Sequence, residues 1–247
     1  MKETYFANAK QYDQYCLKSV ISKAISIAKA DEEVGQIIIV VPTKTQFSLL
    51  DSVFPEKAIS GRCYHVTGAN IGVRFETVKT LSPYLSCKAV FVALCLSQKD
   101  LIKYEDEWSF RYWIVVPWHY SELESWLKVH SAIDVATNIP IEANYSVDEK
   151  IQNAIGWLKA TSYPNEGFIH PLDLNRLKCM SNAIAQSGII ADYDAVLHYC
   201  LNHGIWHKGG RRIAEYFVKA QTKKFKTDGN YSFKFLVDMM NEKHRDL

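Results

Sequence analysis

The sequence predicts an α/β fold: a Rossmann-like N-terminal domain with a mostly parallel sheet and flanking helices, followed by a smaller all-α C-terminal domain. Three observations carry this expectation. Residues 37–41 (IIIVV) and 114–116 (IVV) are branched apolar runs without alternation, which is how strands covered on both faces read. Segments with apolar residues at three- and four-residue steps fall between such runs and supply the crossovers that parallel strands require. Beyond residue 150 the helical spacing continues with no buried strand run.

The elements follow in order. Residues 10–30 carry Tyr12, Tyr15, Cys16, Val20, Ile21, Ala24, Ile27 and Ala28 at helical spacing, with lysines and serines between them, and predict an amphipathic helix. After Ile37–Val41, FSLLDSVF (47–54) predicts a helix, RCYHV (62–66) a strand, VRFETV (73–78) another strand or edge, and KAVFVALC (88–95) a third buried strand. QKDLIKYEDEW (98–108) reads as a short helix, RYWIVV (111–116) as a strand, SELESWLKVH (121–130) as a helix and AIDV (132–135) as a last short strand. Ser121 and Glu124 have capping-box spacing.

Residues 1–135 are therefore the expected α/β domain, 136–150 with Pro140 a linker, and 151–247 a helical domain. Helical spacing occurs over 147–160, 173–186, 192–203, 211–224 and 233–243, with breaks at 162–171, Ser187–Gly188 and Gly204–Gly210, and with Asp173 as an expected N-cap.

The chain has 247 residues, 48% of them hydrophobic, enough for an extensive core. Its six cysteines show no CxxC spacing, the first residues lack the apolar run of a secretory signal, and no apolar stretch reaches bilayer length. Reduced thiols, a cytoplasmic location and no membrane partner are expected.

Familiar catalytic and cofactor motifs are missing. There is no G-x-x-x-x-G-K-[ST], no G-x-G-x-x-G and no G-x-S-x-G, so no cofactor is expected and no catalytic residue is named. Gly68–Gly72 reads as a turn. His198, Cys200, His203 and His207 crowd HYCLNHGIWH, but residues two and five apart leave a helix on different faces, and no metal is expected. Glu105–Asp106–Glu107, beside Trp108 and Arg111, reads as the solvated end of a helix. Two polar loops follow Val-Val-Pro at the ends of predicted strands. They make Thr43, Lys44, Gln46, Trp118 and His119 candidate pocket residues, because open α/β sheets bind ligands outside the carboxyl ends of their strands.

The strongest local signal is basic. From Lys208 to Lys234 eight Lys/Arg face two carboxylates, a balance of +6, which leaves −4 for the rest of a chain whose total is +2. On a helix over 211–224, Arg212, Tyr216, Lys219 and Lys223 share one stripe. Lys208, Arg211, Arg212, Tyr216, Lys219, Lys223, Lys224 and Lys226 are the candidate nucleic-acid-binding residues. The connection read over 204–210 is longer than a helix-turn-helix turn.

The leading expectation is thus an accessory protein or complex subunit that binds DNA or RNA through this face. A nucleotide- or nucleoside-processing enzyme using the carboxyl-end loops is the alternative. A module that docks an acidic protein partner is the third reading.

Overall fold

The structure is a computed structural model that describes residues 3–8, 14–81, 88–107, 110–229 and 231–242, with nothing of the Glu107 side chain. Contacts divide the chain into two compact units, residues 1–143 and 144–247.

The first unit is a seven-stranded sheet, parallel except at one edge. Its strands are β1 (Glu3–Phe6), β2 (Gln36–Val41), β3 (Cys63–His65), β4 (Gly72–Thr77), β5 (Ala89–Leu94), β6 (Tyr112–Val116) and β7 (Ile133–Asp134), in the order β3-β4-β2-β5-β6-β1-β7. Only β3 runs antiparallel, in a hairpin with β4 whose turn holds Gly68 at φ 76°. The register aligns one row across the sheet: Phe75, Ile39, Val92, Ile114, Tyr5 and Ile133.

Burial on both faces explains the unalternating apolar runs. Ile37, Ile39 and Val41 point into one core, packed by α1 (Gln14–Ala30) through Val20, Ile21, Ala24 and Ile27, and by the 3-10 segment Lys44–Leu50 through Phe47 and Leu50. Ile38 and Val40 point into the other core, packed by α3 (Gln98–Glu107) through Leu101 and Tyr104, and by α4 (Tyr120–Val129) through Leu123, Trp126 and Leu127. Along the chain the short α2 (Glu56–Ser60) lies between the 3-10 segment and β3.

Several local expectations are corrected. The strand β1 went unread because four residues, Glu3–Phe6, show no period, yet it pairs with both β6 and β7. The segment after β2 is a 3-10 helix capped by Thr43 and Gln46. α4 starts after His119, and Glu124 of the expected capping box bonds Lys128 instead. Glu105 is buried, with its carboxylate 2.6 Å from His130 Nε2, so it is not part of a solvated helix end; Trp108 lies outside the described residues. Residues 138–141 hydrogen-bond back along β7.

In the second unit every regular element among the described residues is helical: α5 (Glu149–Thr161), a 3-10 turn Pro164–Glu166, α6 (Pro171–Gln186), α7 (Tyr193–Asn202), α8 (His207–Ala220) and α9 (Phe233–Asn241). Pro171 takes the first helical position of α6 and His170 caps it. Asp173 therefore is not the cap, and its carboxylate accepts from the Tyr163 backbone N–H at 3.1 Å and from Arg176 at 2.8 Å.

Candidate functional site

The α7–α8 connection is only residues 203–206, with Gly204 at φ 77°. The longer break expected at 204–210 fails because Gly209 and Gly210 lie inside α8. Both are positions of close approach. A Cβ on Gly209 would overlap the Pro164 carbonyl, and one on Gly210 would stand 3.1 Å from both Cys200 Cβ and Leu197 Cδ1. Two glycines that lower intrinsic helix propensity thus let α8 sit directly on α7 and on the Pro164–Glu166 turn.

With its start fixed at His207, α8 turns about 100° per residue, and that phase sorts the basic residues. Ile213, Ala214 and Phe217 face the core, and Arg211 joins them, 8% exposed. Arg211 therefore leaves the predicted phosphate-binding face. Lys208 and Lys219 are exposed and Arg212 and Tyr216 half-buried on the opposite side. The Arg212 guanidinium lies over the Tyr216 ring at 5.8 Å, and Tyr216 packs on Phe225 with centroids 4.7 Å apart.

The helix ends at Ala220, so Lys223, Lys224 and Lys226 lie on a non-helical strap that turns back along α6. Asn182 fixes that strap by donating to the Phe225 carbonyl at 2.9 Å and accepting from its N–H at 2.9 Å. Asn175 accepts from the Asp228 N–H at 3.0 Å. Arg176 donates to the Tyr231 hydroxyl at 3.0 Å, a bond that raises the guanidinium pKa further. Polar side chains of α6 thereby hold three exposed lysines in place.

Lys208, Lys223, Lys224 and Lys226 make no ion pair with any described residue, and Arg212 Nε has no hydrogen-bond partner among them. Lys219 does pair with Glu215, at 3.2 Å, an exposed i,i+4 contact of small energy.

At the start of α8 the structure adds residues that sequence reasoning missed. A cleft of ≈ 490 Å³ opens between the end of α5 and the α7–α8 turn, lined among others by Lys159, Ser162, Tyr163, Asn165 and Gly204. Tyr163 is 72% exposed and Trp206, which follows the lining residue Ile205, is 61% exposed. Asn165 Oδ1 accepts the Trp206 backbone N–H at 2.8 Å. The available signal was an aromatic beside Pro164 and another after Gly204, in turns where no apolar period demands one.

His198 Nε2 contacts Asn202, His203 stacks on Tyr199, and Cys200 is fully buried, which pushes its thiol pKa up.

The two loops after Val-Val-Pro sit at different crevices. Between β2 and β5 the chain departs to opposite faces, and Thr43–Gln46 lies there. Between β6 and β1 it does so again, and Trp118–His119 lies there. One strand separates β2 from β6, so the strand axes are about 10 Å apart. Gln46 is already engaged, its Oε1 accepting from the Thr43 N–H at 2.9 Å and from the Thr43 hydroxyl. Lys44 is exposed on a separate depression with Phe47, Asp51 and Arg62. Trp118 and His119 are exposed, with rings edge-on at 6.3 Å.

Comparison with known protein families, with characterised proteins and with solved structures finds no significant match. No described helix is long and apolar enough to cross a membrane.

Proposed function

We propose that the chain is an accessory protein that binds nucleic acid through the face formed by α8 and the strap after it, and that residues 144–247 fold as a helical domain carrying that face. One observation carries the reading. Lys208, Lys223, Lys224 and Lys226 stand exposed without a carboxylate partner among the described residues, around a fixed Arg212–Tyr216–Phe225 stack. Unpaired cations on an anchored surface favour a polyanion, since each phosphate neutralised releases condensed counterions. The short glycine-bearing turn between α7 and α8 is also within the length found in helix-turn-helix units.

The test is binding of nuclease-treated protein to labelled DNA and RNA across a salt series, beside a Lys223→Glu/Lys224→Glu/Lys226→Glu variant. Wild-type affinity should fall steeply with salt, and the variant's slope in a log–log plot should be smaller by roughly 2 to 3. Equal affinity and slope in the two proteins would remove this face from consideration.

A further inference from the structure

Resting on that reading, we infer that the ligand is a single strand, with an unpaired base taken by Tyr163 and Trp206 at the head of α8. Tyr163 lines the cleft and Trp206 follows the lining residue Ile205, and both expose most of their surface. Neither is loosely mounted. The Tyr163 N–H is held by Asp173, itself bound to Arg176, and the Trp206 N–H is held by Asn165. An exposed aromatic alone is ordinary surface. Two of them on anchored backbones, one lining the cleft and the other next to its lining residue Ile205, at the end of the helix where Lys208 stands, make a more specific pattern.

The track begins where the rings stand. The methylenes of Lys208 run over Gly167, next to the Pro164–Glu166 turn. From there Arg212, Tyr216 and Lys219 follow along α8 to the lysines of the strap, and the fourteen-residue helix spans about 20 Å. Backbone phosphates would follow the cations while a base enters the cleft. A duplex keeps its base faces stacked inside and offers these rings nothing to stack on, whereas a single strand exposes a π-face at every nucleotide. The cleft also offers polar groups suited to a base edge: the Asn165 amide and the Lys159 ammonium, which donates to the His203 carbonyl at 3.0 Å.

The experiment compares a single-stranded oligonucleotide, as DNA and as RNA, with its duplex, using the full chain, a Tyr163→Ala/Trp206→Ala variant and the triple-lysine variant. Single strands should bind at least tenfold more tightly than duplex. The aromatic variant should lose roughly 5- to 150-fold on single strands with an unchanged salt slope, while the lysine variant loses slope. Single-strand binding should also quench tryptophan fluorescence, and Trp206→Phe should remove that quenching yet keep most of the affinity. Equal affinity for duplex and single strand, with the aromatic variant matching wild type, would overturn the inference and leave the basic face standing. Binding of neither at low salt would overturn both and point to an acidic protein partner.

Discussion

Gly209 packs so closely on the carbonyl of Pro164 that no side chain fits between them. This contact seats α8, and with it the candidate interface, on the turn that carries Tyr163. Gly209→Ala would have to move backbone, not a flexible side chain. We expect a loss of about 2–3 kcal/mol in urea unfolding. Gly210→Ala meets side-chain carbons at 3.1 Å and should cost less. A Gly209→Ala protein as stable as wild type would show that α8 does not rest on this turn.

The buried Glu105–His130 pair should be structural in the first unit. His130 contacts the Trp126 carbonyl through Nδ1 at 2.6 Å, stacks on the Trp126 ring with centroids 4.0 Å apart and meets Glu105 through Nε2. His130→Leu removes the contacts of both ring nitrogens and the stacking on Trp126 at a buried position, and should destabilise by roughly 1–3 kcal/mol. Glu105→Gln, which keeps a hydrogen-bonding group, should cost less.

Alkaline pH should weaken the same unit. Burial, then the hydrogen bond and proximity to Glu3, push the Tyr5 hydroxyl from 10.0 up to about 12, and burial with the Asp31 contact also raises Tyr112. Protonated tyrosine is thus favoured in the folded state. The contribution is complete below pH 10, where both states are neutral, and is lost as pH rises from there through the folded value. Urea midpoints should decline above pH 10, and Tyr5→Phe should flatten that decline.

Asn182→Ala should release the strap. The change removes both hydrogen bonds to Phe225 and frees the segment carrying Lys223, Lys224 and Lys226. Limited trypsin digestion should then cut after these lysines several times faster than in wild type. An unaltered cleavage rate would mean that other contacts suffice to hold the segment.

The sequence was legible wherever burial leaves a period or a run. β2, β5 and β6 were visible because branched residues covered on both faces are rare outside a parallel sheet. The described helices α5 to α9 were visible through their apolar spacing. β1 was not, since Glu3–Phe6 are too few to show a pattern and its neighbours β6 and β7 are more than a hundred residues away in the chain.

The site divides in the same way. Sequence alone determined that cations collect between Lys208 and Lys234 and that Arg212, Tyr216 and Lys219 share a helical face, because charge is additive and the helical period is fixed. Only the tertiary structure decided that Arg211 turns inward, that the strap lysines are pinned through Asn182, and that Tyr163 lines a cleft beside the segment that leads into Trp206. Those facts depend on where α8 begins and on which segments meet through Gly209, Asn165 and Asp173. Contacts between residues distant in the chain leave no local period, and a turn aromatic looks the same in sequence whether its ring is covered or exposed.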